Sequence, residues 1–359
     1  LSDIGIGIIG SQFIADIHAT ALRHVRGAKA VAVASPTRDH VESFAHKHKI
    51  PQCFTDYRDL LALPEVDVVL LCLPNYLHCE ATVAAAKAGK HVICEKPLCM
   101  NLREADTMIE ACRAANVHLF YAEELLFTPK YVRAKELADE GALGEIYLVK
   151  QSEKHFGPHA DWFWDVDRSG GGVLFDMGCH GIEFARWVLG RRPIRSVYAH
   201  CGTYVHAEKT RGEDNAILIL EFDGGSTALI EESWAHQGGM DDRAEIHGSQ
   251  GVVYADLHHG SGLETYSEVG YGYAVEKAAT TQGWTFTVYE EIWNYGFPQE
   301  LQHFVDCIRD GTTPLVTGDD GKAVLEVLFA AYASAASGAR VSLPFSTDAK
   351  KPIELWRPA

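Results

Sequence analysis

The sequence has no C-x-x-C pair, no apolar run near the ~20 residues needed to cross a bilayer, and no surplus of basic charge. The nine cysteines stand at positions 53, 72, 79, 94, 99, 112, 179, 201 and 307. An odd number without paired spacing argues for reduced, mostly buried thiols in a cytoplasmic protein. The missing apolar run excludes a helical membrane span. Lys and Arg number 32 against 49 Asp and Glu, a net charge of −17. That balance disfavours nucleic acid and anionic membranes as partners, while leaving a small neutral ligand open. The first residues, Leu1-Ser2-Asp3-Ile4, run straight into a strand, so no signal peptide is expected. Internal repeats and low-complexity linkers are missing too.

What is present is enough chain for about two domains: 359 residues, 47% hydrophobic and 23% charged. The first third alternates short apolar runs with amphipathic stretches. Strands are expected at Ile4–Ile9, Ala30–Ala34, Val66–Leu71, His91–Cys94 and Val117–Tyr121. Helices are expected at Phe13–His24, Asp39–His48, Leu77–Ala88 and Leu102–Ala115. This βαβα rhythm predicts a doubly wound parallel sheet, a Rossmann domain over residues 1–125. The rhythm then changes. A helix at Tyr131–Glu140, a strand at Glu145–Lys154 and a helix from Gly170-Gly171-Gly172 to Leu189 precede several alternating runs. Those runs are Ser196–Val205, Ala216–Phe222, Thr227–Ser233, Ala244–His247 and Val252–Leu257, followed by helices at Gln299–Arg309 and Gly321–Ser337. Residues 126–359 therefore read as an α+β domain with an open, mostly antiparallel sheet.

Gly5-Ile6-Gly7-Ile8-Ile9-Gly10 matches G-x-G-x-x-G but lies within the first strand. The glycines of a dinucleotide fingerprint must instead form the turn that follows it. Gly10-Ser11-Gln12-Phe13-Ile14-Ala15 meets that requirement. Gly10 makes the tight turn, Ala15 allows close packing, and the helix start at Gln12, Phe13 and Ile14 offers amides to phosphate. Gln12 replaces the middle glycine. Ser35 stands where an NAD site usually has an acid, and Arg38 could pair with a 2′-phosphate or equally be a solvent-facing first-turn residue. NAD is the expected cofactor, with NADP left open. Pro74, Asn75 and His78, after the next strand, are candidates for the nicotinamide ribose; an Asn cap with an exposed His explains them equally well.

Glu95-Lys96-Pro97 follows the strand His91–Cys94, at the carboxyl edge where such sheets bind ligands. Asp176 and His180 are four apart, expected on one helical face, with Gly178 and Gly181 sparing room beside them. A His–carboxylate pair suits proton transfer near neutral pH. Helix packing falls to Leu174, Ile182, Ala185, Val188 and Leu189, leaving the polar pair facing a space. A metal could instead gather Asp176, His180, Glu183, His155 and His159, but their spacing matches no H-E-x-x-H or Cys-rich pattern, so no metal is expected. His155-Phe156-Gly157-Pro158-His159-Ala160-Asp161-Trp162-Phe163-Trp164-Asp165 mixes aromatic and polar groups, as a sugar ring requires. Trp162 and Trp164 are the candidate faces, with Trp234 a weaker one.

In order, the Gly10–Ala15 turn, Glu95-Lys96-Pro97 and the glycine run with Asp176-x-Gly178-x-His180 resemble the glucose–fructose oxidoreductase, inositol dehydrogenase and rhizopine catabolism family. The resemblance spans essentially the whole chain. It implies an NAD(P)-dependent enzyme whose C-terminal sheet forms a dimer or tetramer. It also implies that Lys96, Asp176 and His180 are catalytic, with Glu95 beside the nicotinamide ribose and the substrate. Ala122-Glu123-Glu124-Leu125 departs from the usual family pattern and is similar to the branch that oxidises glucosides at C3, making Glu124 a substrate candidate. The alternatives are a glycosidase that uses tightly held NAD for transient oxidation, and a non-catalytic sugar or nucleotide sensor.

Overall fold

A computed structural model describes residues 3–258, 264–269, 280–286 and 291–357. The chain divides into two compact units, Leu1–Glu124 with Gly296–Leu325, and Leu125–Tyr295 with Glu326–Ala359.

The first unit is built on strands β1 (Ile4–Ile9), β2 (Ala28–Ala34), β3 (Gln52–Phe54), β4 (Val68–Leu71), β5 (His91–Glu95) and β6 (Leu119–Ala122). All pair in parallel, in the order β3-β2-β1-β4-β5-β6. This is the dinucleotide-binding order, with its switch point between β1 and β4. Every residue of β1 and β4 is buried, which is why these strands read as unbroken apolar runs rather than alternating ones. The helices turn one apolar stripe inward; in Leu102–Ala114 it is Ala105, Met108 and Cys112, and Asn101 caps the helix by accepting from the Glu104 amide. The sequence pattern misses β3 and the helix Tyr57–Leu61, both too short to show a period.

Dividing the chain after residue 125 assigns 296–325 to the second part, whereas this stretch joins the first unit. The amphipathic helix Phe297–Asp310 lies against the helix Phe13–Ala21, where Phe297 meets His18 edge-on at 5.2 Å. Arg309 donates to the Gly27 carbonyl, Phe304 packs on Phe120, and Thr317 bridges to Phe120.

The second unit carries β7 (Ile146–Lys154), β8 (Ile194–Gly202), β9 (Asn215–Phe222), β10 (Thr227–Ser233), β11 (Asp241–Gly248), β12 (Gly251–Asp256) and β15 (Val341–Ser342). They form one sheet ordered β12-β11-β7-β10-β9-β8-β15, antiparallel except for β10 beside β7. A hairpin of β13 (Glu264–Ser267) and β14 (Gly283–Phe286) stands apart in pairing. Along β9, buried Ala216, Leu218, Leu220 and Phe222 alternate with the rest, as in a sheet covered on one face. The cover includes the helix Gly178–Val188. On the opposite face Tyr198, Ile217, Ile219 and Tyr254 are exposed.

The single helix expected from Gly170 to Leu189 is two pieces, Val173–Asp176 and Gly178–Val188, with the short helix Val166–Ser169 before them. The helix is interrupted at Met177, and the His180 amide bonds back to the Met177 carbonyl. Asp176 and His180 therefore lie on consecutive helices, on either side of Met177. Nor does the pair face open space, since both side chains are buried. Gly178 and Gly181 make room for packing instead of for a ligand. A Cβ at Gly178 would stand 2.7 Å from Leu174 Cδ1, and one at Gly181 would stand 2.5 Å from Ile230 Cγ2.

Candidate active site

In the first unit, the carboxyl ends of β1, β2, β4, β5 and β6 bring together the candidates that the sequence scatters. Gly10 leaves β1 at φ +122°, and a Cβ there would collide with the Cys72 carbonyl at the end of β4. Only glycine suits both conditions. Ala15 is fully buried, as close packing requires. Gln12 is the N-cap of the helix Phe13–Ala21, and its side chain does not cap that helix. The first-turn amides are thus not spent on a cap from Gln12, which suits a phosphate at this turn. Phe13 is partly exposed beside it, and Ile14 is half-buried.

Ser35, at the end of β2, accepts from the Ser11 hydroxyl at 2.8 Å, closing the glycine turn against the next strand. Arg38 is exposed and pairs with Glu42 at 3.1 Å rather than turning to Ser35. Such a surface pair contributes little and is easily exchanged.

Pro74 precedes the short turn Asn75–Leu77, and Asn75 is buried. His78 is buried, not exposed. Its Nε2 lies 2.9 Å from the Leu73 carbonyl and its Nδ1 3.1 Å from the Pro97 carbonyl. Burial pulls its pKa down, favouring the neutral ring. A carbonyl stands at each nitrogen, Leu73 from the loop after β4 and Pro97 from the loop after β5, and the neutral ring, with its single N–H, donates to one of them.

Glu95 is buried. It pairs with His18 Nε2 from the helix Phe13–Ala21, and its second oxygen accepts the Lys96 amide at 3.1 Å. Burial opposes its charge, but the bond and charge of His18, with the charge of Lys96, outweigh that and hold its pKa low. Lys96 itself is half-buried. Glu300 has the opposite environment. Burial first, then the charges of Glu124, Glu95 and Glu123, drive its pKa well up. A carboxyl held low and a carboxyl pushed high thus stand in one neighbourhood. Glu124 is buried with them, after β6.

In the second unit, Asp176 ends its short helix and His180 lies in the first turn of the next, with His180 Nε2 3.9 Å from Glu153 Oε2 of β7. Cys179, between them, donates to the Asp176 carbonyl at 3.2 Å. Glu183 is engaged by Arg186, and by Arg191 at 2.9 Å, which removes it from any ligand set. His155 is buried and its Nδ1 donates to the Gly157 carbonyl at 2.7 Å; its ring meets that of His159 at 4.8 Å. Trp162 stacks on Phe163 at 3.8 Å. One edge of Trp164 meets Trp234 at 5.6 Å, and Lys209 lies over its ring at 5.1 Å. Trp234 is fully buried, a core residue rather than a sugar platform.

Sequence reasoning overlooks His18, Glu300, Glu213 and Tyr332. The first two were open to detection. His18 lies between Ala15 and Ala19 on a buried stripe, and Glu300 interrupts the stripe of Phe297, Leu301, Phe304 and Val305. A polar group on a core stripe requires a partner.

Residues 4–123 match the family model described as an oxidoreductase family with an NAD-binding Rossmann fold, and residues 131–254 match the GFO/IDH/MocA C-terminal domain. The chain is 30% identical to the myo-inositol 2-dehydrogenase of Thermotoga maritima, over 92% of this chain and 95% of that protein. It is also 30% identical to the D-glucoside 3-dehydrogenase of Escherichia coli, over 65% of this chain and 71% of that one. Among solved structures it resembles GenD2 from gentamicin A biosynthesis in complex with NAD, with 32% identity, a TM-score of 0.90 and coverage of 96% and 97%.

Proposed function

Because the chain belongs to the glucose–fructose oxidoreductase, inositol dehydrogenase and rhizopine catabolism family of NAD-binding oxidoreductases, we propose that it reversibly oxidises a secondary ring hydroxyl, at C3, of a sugar, glycoside or cyclitol. The observation that carries this reading is Glu95, ionised and pinned by His18, holding the Lys96 amide at the carboxyl edge of the NAD-binding sheet. The likeness to a D-glucoside 3-dehydrogenase supports C3 as the position.

Gly10 and the amides of the following helix hold the pyrophosphate. The Ser11–Ser35 pair faces the adenosine ribose, and Asn75 the nicotinamide side. Lys96 donates to the reacting oxygen and stabilises its developing negative charge. His180 removes the hydroxyl proton, and Asp176 orients the ring and supports its cationic form. NAD, when bound, accepts the carbon-bound hydrogen as hydride. One proton and one hydride leave, and the alcohol becomes a ketone. Glu124, His155, Trp162 and Trp164 contact the substrate. The first unit is the cofactor domain and the second the substrate domain. Nine free thiols suit a reducing compartment, the cytoplasm.

The test incubates the protein with cyclitols, monosaccharides, amino sugars and glycosides. Reduced nicotinamide is followed by absorbance and products by mass. The protein's own spectrum is read first for retained cofactor. A product two hydrogens lighter is expected. A cleaved glycosidic bond without net oxidation would select the redox-elimination glycosidase, and no reduction of cofactor across the panel would select the sensor.

The exposed face bearing Tyr198, Ile217, Ile219 and Tyr254 is assigned to a second copy of the chain, in a dimer or tetramer. Tyr198 and Ile219 lie opposite each other in register, and Lys150 pairs with Glu245 further across the sheet, so the face offers apolar and paired charged patches to its own copy. Sedimentation should return a multiple of the 39.5 kDa chain mass, and Ile219→Arg should lower it. A wild-type monomer at micromolar concentration would remove this assignment.

A further inference from the structure

The glycine run Gly170-Gly171-Gly172 has a use that the reading above leaves unassigned. A Cβ at Gly171 would collide with the Tyr332 hydroxyl, and one at Gly172 with the Glu213 carbonyl. The glycines thus admit two partners to the start of the helix Val173–Asp176. Glu213 is fully buried, and its backbone carbonyl accepts the Val173 amide at 2.9 Å. Its Oε1 accepts both the Leu174 amide at 2.9 Å and the Tyr332 hydroxyl at 2.6 Å. Tyr332 Oη in turn accepts the Gly172 amide at 3.3 Å. From there the bonds run on. The Asp176 amide reaches the Gly172 carbonyl, the Met177 amide the Val173 carbonyl, and the His180 amide the Met177 carbonyl. This short helix has no side-chain cap from its own N-cap residue, Gly172, so the bonds from Glu213 and Tyr332 anchor its first turn.

We propose that Glu213, together with Tyr332, is a positioning residue that sets where Asp176 and, one turn later, His180 stand. The inference rests on the reading that those two act on the substrate; neither Glu213 nor Tyr332 touches it. The anchor is also titratable. Burial raises the Glu213 carboxyl from 4.5 to about 7, against the lowering effect of its bonds from Tyr332, Leu174 and Gly172. Tyr332 and Cys201 are the titratable groups coupled to it, and burial raises both well above their ordinary values, so neither charges near neutrality. Glu213 Oε2 has no hydrogen-bond partner among the described residues and is the place for the proton. The folded protein therefore binds a proton more strongly here than the unfolded chain does. Stability from this group is fully present below pH 4.5 and is lost as pH rises through about 7.

Three variants test this: Glu213→Leu, Glu213→Gln and Tyr332→Phe. Glu213→Gln keeps an acceptor at Oε1 and should retain kcat within a few-fold, whereas Glu213→Leu should lower kcat by about 10²-fold, the scale of a 1 Å misplacement. The KM for NAD should be unchanged in both. Tyr332→Phe should fall between them. Deuterium exchange at the Val173 and Leu174 amides should speed up in Glu213→Leu and Tyr332→Phe but not in Glu213→Gln. The thermal midpoint of Glu213→Gln should gain on the wild type as pH rises from 5 to about 8. Equal kcat in Glu213→Leu and Glu213→Gln, or a loss shared by both with NAD binding lost as well, would overturn the proposal. If Glu213→Leu does not fold, Tyr332→Phe decides, and wild-type kcat with wild-type exchange there overturns it. If the wild type oxidises no sugar, the proposed function fails, while amide exchange still decides whether the anchor exists.

Discussion

Lys96→Ala lowers kcat by about 10²–10³-fold, the usual cost of removing one donor to a developing oxyanion, with the thermal midpoint close to that of the wild type. Lys96 is half-buried, its backbone amide donates to Glu95, and His18 is the first-named partner holding Glu95 ionised, so truncation removes only the further support of the Lys96 charge from the buried pair of Glu95 and His18. His180→Gln, nearer in size than alanine for a buried ring, lowers kcat by about 10²–10⁴-fold, the range for a lost general base. Steady-state rates on the best substrate of the panel, with a melting curve for each variant, check both. A rate near that of the wild type in either one would strip that residue of its role. If NAD affinity fell while kcat held, Lys96 would be a cofactor contact only.

Gly10→Ala should cost a few kcal/mol of stability and most of the affinity for NAD. Two costs combine. A side chain at φ +122° is strained by about 1–3 kcal/mol, and a Cβ against the Cys72 carbonyl overpacks by about 1–3 kcal/mol more. Both groups are backbone, so no side chain can swing aside. Relief comes only by separating the ends of β1 and β4, the crevice where a dinucleotide binds in this strand order. Gly89→Ala is the control. It too has a positive φ, +71°, but a Cβ there meets nothing within 4 Å. Thermal melts and NAD titration of the two variants separate conformational strain from collision. Equal behaviour would show that the Cys72 contact contributes nothing.

The parallel sheet was legible because its central strands are buried on both faces and its helices on one, which writes two different periods into the chain. β3 was not, since three half-buried residues carry no period. At the site, spacing told less than composition. Asp176 and His180 stand four apart in number, yet the break at Met177 separates them onto two helices, and no local pattern announces it. The glycines nearby looked like room for a ligand, while Gly181 admits Ile230 and Gly172 admits Glu213, partners that lie dozens of residues downstream. His78 is no exposed first-turn residue either, since it is buried. Its carbonyl partners after β5 were invisible from the helix it begins. His18 and Glu300 were the opposite case, polar residues on buried stripes whose need for partners was written in the sequence and went unused.

The helix Phe297–Asp310 gives the cofactor unit an unusual order of assembly. The surface of Phe13–Ala21 that meets Phe297, and the face of Phe120 that meets Phe304, are made early in synthesis. Their covering helix emerges only after the whole stretch from Leu125 to Tyr295. A nascent or truncated chain ending at Glu124 therefore has its six strands but leaves that apolar surface open to water and to other chains. The unit that comes first in the sequence is completed only when the ribosome has reached Leu325, and until then its uncovered apolar surface is prone to aggregation.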